Sequence, residues 1–203
     1  DDAPYGGGAG MVMQAPPILR ALEQLRRLRG GALSRVILMC PTGITFDQNW
    51  ARDLAREEHL VIICGHYEGV DERVRELAVT DELSIGDYVL TGGELPAMVV
   101  VDAVSRMIPG VLGERASAEE DSFADGILEY PQYTRPRVCA GLAVPEILLS
   151  GHHEKIRRWR RRQALLKTLE RRPDLLREDV LTEEDRAMLR EMAATIREVL
   201  EED

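Results

Sequence analysis

Ser84-Ile85-Gly86-Asp87-Tyr88-Val89-Leu90-Thr91-Gly92-Gly93-Glu94-Leu95-Pro96 is the stretch that decides the fold. Ile85, Tyr88, Val89 and Leu90 favour an extended backbone, so the segment predicts a strand, a glycine turn and a helix opening at Glu94. The Gly92-Gly93 pair can pass through φ values closed to other residues and bring bare backbone amides close to a ligand. Glu94 and Pro96 suit a first helical turn, where an acid meets the positive end of the dipole and proline forfeits no hydrogen bond. Taken singly, such a segment is an ordinary strand-to-helix turn of an α/β domain.

Two further turns of the same kind shift that balance. Val36-Ile37-Leu38-Met39 ends in Cys40-Pro41-Thr42-Gly43, and Leu60-Val61-Ile62-Ile63 ends in Cys64-Gly65-His66-Tyr67-Glu68-Gly69. Short apolar runs closed by glycine predict strands buried on both faces of a parallel sheet. Ligands of open α/β sheets sit outside the carboxyl ends of the strands, so the three loops predict one shared pocket. The glycines follow neither the dinucleotide fingerprint nor the P-loop, which argues against a polyphosphate ligand. Arginine and lysine are absent from the three loops, whereas Glu68, Asp87 and Glu94 lie in them. That field suits a neutral or cationic ligand held by backbone groups, and a sulfonium cofactor fits it.

The 203 residues suffice for a real core in one large or two smaller domains, with a net charge of −10. That sum argues against a nucleic-acid partner, but its distribution does not. Residues 151–172 hold nine cations against Glu154 and Glu170, whereas residues 173–203 hold eleven acids against four arginines. The basic segment predicts a helix that contacts RNA backbone through Lys155, Arg157, Arg158, Arg160, Arg161 and Arg162, with Trp159 available for packing or stacking. The bland alternative is a solvated helix face. Cys40, Cys64 and Cys139 form no C-x-x-C pair, so neither a disulfide framework nor a zinc site is indicated, and His152-His153 lack a third ligand. No metal site is expected. The sequence shows no apolar run of membrane-spanning length and no signal-like start, and a cytoplasmic location is expected.

Three parts are expected along the chain: a cofactor-binding domain over 1–112, a flexible linker over 113–127 and a helical domain over 128–203. The first part ends with a helix from about Glu94 to Met107 and a break at Pro109-Gly110. The linker is polar and acidic with Gly113 and Gly126 as hinges, and the last part carries helices at about 153–170 and 182–200. Thr182-x-x-Asp185 reads as a capping box.

Several blocks then become recognisable together. C-G-H-Y-E-G-V-D-E-R-V from Cys64, S-I-G-D-Y-V-L-T-G-G-E from Ser84 and P-G-V-L-G from Pro109 resemble the bacterial tRNA (guanine-N1)-methyltransferase family. So do Y-G-G-G-A-G-M-V-M from Tyr5, A-E-E-D-S-F from Ala118, Y-T-R-P from Tyr133 and S-G-H-H-E-K-I from Ser150, in order along essentially the whole chain. The resemblance implies methyl transfer from S-adenosylmethionine to N1 of the guanosine at position 37 of tRNA. It also implies a homodimer with composite active sites, each fold an α/β domain whose parallel sheet carries a deep trefoil knot, followed by the small C-terminal helical domain that binds tRNA. Knots lie outside the usual rules of chain topology, so no periodicity suggests one. A related rRNA methyltransferase and a non-catalytic RNA-binding fragment are the competing readings.

By the same resemblance Asp121 is the catalytic base and Arg106 orients the substrate, although alone they read as a linker acid and a helix-end cation. Cofactor contacts carried over by motif are Met39, Pro41, Gly43, Gly65, Tyr67, Glu68, Ser84, Ile85, Gly86, Tyr88, Leu90, Gly92, Gly93 and Pro96. Glu68 is the one expected to act by charge, with capping of the helix at Asp71 as its alternative. His66 stands where many relatives carry arginine and Glu129 where many carry aspartate, which leaves both roles open. Relatives also carry a segment before the block matching Asp1 to Tyr5, supplying the first strand and helix of the sheet, so the chain reads as N-terminally incomplete. A magnesium dependence is not legible in the residues.

Overall fold

The computed structural model describes residues 1–31, 33, 35–111 and 121–201. The chain forms two compact units, Asp1–Gly113 and Glu114–Asp203.

In the first unit β1 (Arg35–Thr45) lies between β2 (Leu60–Cys64) and β3 (Asp81–Ser84), and both pairings are parallel. Helices α1 (Ala15–Arg29) and α3 (Glu72–Ala78) pack together, as do α2 (Gln48–Leu54) and α4 (Glu94–Met107). The alternation of β1 explains the two layers. Val36 and Leu38 join Leu22, Ile63 and Val74 in one core, whereas Ile37 and Met39 join Leu54, Leu83, Val100 and Val104 in the other. A central parallel strand needs apolar residues at every position because both faces are covered.

Two expectations are corrected. The strand predicted over Ile85 to Leu90 ends at Ser84, and the chain turns there: the Ser84 hydroxyl donates to the Gly86 carbonyl at 3.0 Å and accepts from the Gly86 amide at 3.2 Å. Gly86 has φ +146°, and a Cβ on it would lie 2.6 Å from the Tyr88 ring, so local side-chain chemistry overrides the β propensity of the residues that follow. In contrast, Cys40 to Gly43 do not end their strand. Met39 and Ile44 both register on Leu83, so residues 40–43 form a bulge within β1.

The second unit contains the hairpin β4 (Val138–Cys139) and β5 (Leu142–Ala143), then α5 (His153–Arg171) and α6 (Glu183–Glu201). Ile127, Ala164, Leu165, Met188 and Met192 form its core. The predicted capping box is present: Asp185 accepts from the Thr182 amide at 2.9 Å, and Thr182 Oγ1 accepts from the Asp185 amide at 3.2 Å.

Residues 121–127, expected within the flexible linker, are folded into this unit. The Ala124 amide donates to the Asp121 carbonyl at 3.0 Å, the Phe123 amide to the Ile127 carbonyl at 2.8 Å, and the Glu129 amide to Ser122 Oγ at 3.1 Å. Ile127 is buried, and Gly126, at φ +89°, lies against Val180. The remainder of the expected linker, 113–120 with the hinge Gly113, lies outside the described residues.

Candidate functional site

At the carboxyl ends of the strands the first unit encloses a cleft of about 360 Å³. Met39, Pro41, Gly65, Tyr67, Glu68, Ser84, Ile85, Gly86, Tyr88, Leu90, Gly92, Gly93 and Pro96 line it. At Gly93 two backbones touch. A Cβ on Gly93 would lie 2.6 Å from Cys64 Cα, and the Gly93 amide donates to the Gly65 carbonyl at 2.9 Å. Gly43 is the expected cofactor contact that does not line the cleft. Its Cβ would meet the Glu82 carbonyl carbon at 2.5 Å, so this glycine serves the approach of β1 to β3.

Two charged side chains lining the cleft, His66 and Arg75, are paired. His66 Nε2 and Glu94 Oε1 lie 2.6 Å apart, and this hydrogen bond holds the Glu94 carboxyl below the usual range. Burial, with Glu94 nearby, pushes the Cys64 thiol up. Arg75 on α3 also lines the cleft and was not anticipated, because it comes from a helix rather than from the glycine loops. It is bound to Glu82, whose other Oε2 neighbour is Cys40 Sγ at 3.1 Å. Asp71 caps its own helix by accepting from the Arg73 amide at 2.9 Å, so the capping alternative for Glu68 is not realised.

Asp121 and Arg106 are not part of that cleft. Arg106 lies in the last turn of α4 while Pro96 lies in the first, about 15 Å apart along the axis at 1.5 Å per residue. Asp121 lines a separate cavity of about 430 Å³ in the second unit with Asp125, Glu129, Tyr130, His153, Arg157, Arg160 and Arg161.

Three arginines of the basic helix are held by acids of their own unit. Arg157 binds Glu154 and Glu184, Arg158 binds Glu191 at 3.0 Å, and Arg161 binds Asp125 and Asp185. Arg161 is partly buried and Asp185 is 1% exposed, which makes this pair structural rather than a surface available to phosphate. Burial alone would raise the Asp185 carboxyl, but the Arg161 guanidinium and Thr182 hold it at about 2. The Arg160 guanidinium carbon sits 4.8 Å from the Tyr130 ring centre. Lys155 and Arg162 are exposed. Among the described residues no three His, Cys, Asp or Glu side chains converge as a metal site, and no helix is long and apolar enough to cross a membrane.

A parallel sheet with a cleft at its carboxyl edge defines an open-sheet α/β protein, here followed by a helical unit rich in paired charge. The sequence profile of the tRNA (Guanine-1)-methyltransferase TrmD family matches residues 1–178, and the chain belongs to that family. Similar curated proteins carry the name tRNA (guanine-N(1)-)-methyltransferase. That of Pelotomaculum thermopropionicum is 65% identical over 199 residues, covering 98% of this chain and 79% of the relative. Those of Desulforamulus reducens and Moorella thermoacetica are 66% and 65% identical, each covering 95% of this chain and 76% and 77% of the relative.

Proposed function

We propose that the chain transfers a methyl group from S-adenosylmethionine to N1 of the guanosine at position 37 of tRNA. The observation that carries this reading is that the family's glycine motifs themselves form the walls of a preformed cleft. The cleft suits a sulfonium ligand because Gly86, Gly92 and Gly93 put no side chain into its wall, Arg75 is offset by Glu82, and Glu68 adds a carboxylate. S-adenosylmethionine, when bound, supplies the electrophilic methyl carbon. Guanine N1 carries a proton in its neutral form, so Asp121 takes that proton and Arg106 offsets the charge that would build at O6.

The functional unit in this reading is a homodimer with two shared sites, and the trefoil knot and the tRNA-binding role of residues 128–203 belong to the same proposal. Two features support sharing. Arg106 lies at the far end of α4 from the cleft of its own chain, and Leu95, Met98 and Val99 leave an exposed apolar face on α4, preceded by Val89 at 81% exposure. A second copy would bury that face. RNA contact then falls first to Lys155 and Arg162, and to Arg157 and Arg158 on exchange of their exposed carboxylate partners.

Calorimetry with S-adenosylmethionine and methylation of a tRNA transcript beside its position-37 variant test this function. Cofactor binding with methylation of the parent transcript alone is expected. No cofactor binding would leave only an RNA-binding module, and transfer to rRNA fragments in preference to tRNA would move the substrate class. For the dimer, an Asp121→Asn subunit mixed with a Gly92→Trp subunit should regain up to one working site per heterodimer. Subunit exchange without returning activity would confine catalysis to one chain.

A further inference from the structure

The second unit holds two cavities that share a wall and differ in their carboxylates. Tyr130, Ile156 and Arg160 line both. The first mixes Asp121, Asp125 and Glu129 with His153, Arg157, Arg160 and Arg161. The second, also about 430 Å³, is walled by Tyr130, Tyr133, Arg135, Arg137 and Arg160 over a floor of Val144, Leu148, Leu149 and Ile156, and among the described residues no carboxylate lines it. In a chain of net charge −10, a recess with three arginines and no acid asks for an explanation.

The side chains supply one. Arg137 is held by Glu146 at 2.6 Å, outside the lining. Arg160 lies over the Tyr130 ring, and its Nε is shut off from solvent with no acceptor among the described residues, which leaves a donor unmatched in the shared wall. Tyr133, 48% exposed, has its ring centre 6.5 Å from that of Trp159. Aromatic faces, guanidinium donors and an apolar floor are together what an unpaired nucleobase requires: stacking for the ring, hydrogen bonds for its edge and positive charge for its phosphate. We propose that this recess binds a second unpaired nucleobase of the RNA substrate, distinct from the methylated guanine, so that the enzyme reads the RNA at two points. The inference rests on the RNA-methyltransferase reading above. Its ligand chemistry is that of a nucleotide, and the source assigned is the RNA chain rather than a free nucleotide.

The test is a cycle between protein and RNA. Anticodon stem-loops carrying an abasic residue at each loop position except the target are titrated against wild type, Tyr133→Leu, Tyr133→Phe and Arg135→Gln. One abasic position should weaken wild-type binding roughly tenfold, the range expected for loss of one stacked base. The same RNA should lose nothing further with Tyr133→Leu, while Tyr133→Phe, which keeps the ring, should behave as wild type. Arg135→Gln carries the same cycle if Tyr133→Leu does not fold. Additive losses at every position, or parental affinity in both Tyr133→Leu and Arg135→Gln, overturn the proposal. So does competition by free guanosine or adenosine monophosphate as strong as that of the stem-loop. Methylation of the parent stem-loop by wild type alongside additive losses removes the recess alone, whereas absence of both binding and methylation removes the proposed function with it.

Discussion

The cleft of the first unit and the helix pair of the second solve positioning in different ways. At Gly93 in the cleft wall and at Gly43 between β1 and β3, a single Cβ would strike neighbouring backbone within 2.6 Å, so geometry leaves one residue type. Between α5 and α6, Arg157, Arg158 and Arg161 meet Glu184, Glu191 and Asp185, and many residue choices would satisfy the helix itself. A site made by backbone approach constrains its sequence strongly. A site made by paired charge constrains it only through the fold, since the partner arrives from elsewhere in the chain.

The largest effect expected from breaking this contrast is at neither region's scaffold but at the proposed base. Asp121→Asn should lower the single-turnover methylation rate about 10³-fold while S-adenosylmethionine affinity measured by calorimetry stays at the parental value, because the amide keeps the size and lacks the basicity. A near-parental rate would remove Asp121 from the mechanism. Arg161→Met should destabilise the second unit by about 3 kcal/mol in urea unfolding, since it leaves Asp185 buried without its cation. If Arg161 instead served mainly as an RNA contact, the substitution would weaken RNA binding and leave the unfolding midpoint in place.

On the other side of the contrast, Gly93→Ala should raise the Kd for S-adenosylmethionine at least tenfold, as the added methyl forces Cys64 and the cleft wall apart at an overpacking cost of about 1–3 kcal/mol. An unchanged Kd would mean that the close approach is slack. Acid should act on the second unit through Asp185, whose carboxyl is held at about 2 against an ordinary 3.8. A depressed carboxylate stabilises the fold above its unfolded value, so about 2 kcal/mol is present above pH 4 and is lost as the pH falls from about 4 towards 2. Urea midpoints across that range check it, and Asp185→Asn should flatten this part of the profile. The smallest effect is at the surface: Arg158→Gln should change stability by less than about 0.5 kcal/mol, yet make the slope of log Kd for RNA against log salt shallower by about 0.7–0.9 if Arg158 trades Glu191 for phosphate.

Helices α5 and α6 and the Thr182-Asp185 box were legible because cap chemistry and segregated charge act within a few residues. The strand expected over Ile85 to Leu90 was misread because a serine hydroxyl closing on Gly86 outweighs β propensity, and the sequence alone does not rank those two. Arg75 escaped notice because it reaches the cleft from a helix, with no motif of its own.

What the chain's residues determined by themselves was the parallel sheet, the family and nearly all of the cleft lining, because buried parallel strands demand continuous apolar runs and backbone contacts demand glycine. The tertiary structure alone decided that Gly43 serves strand packing, that Arg161 is bound between Asp125 and Asp185, and that Asp121 sits on a folded turn of the second unit. Each of these depends on which distant atoms meet, and a side chain's charge or size does not state its partner until the chain has closed around it.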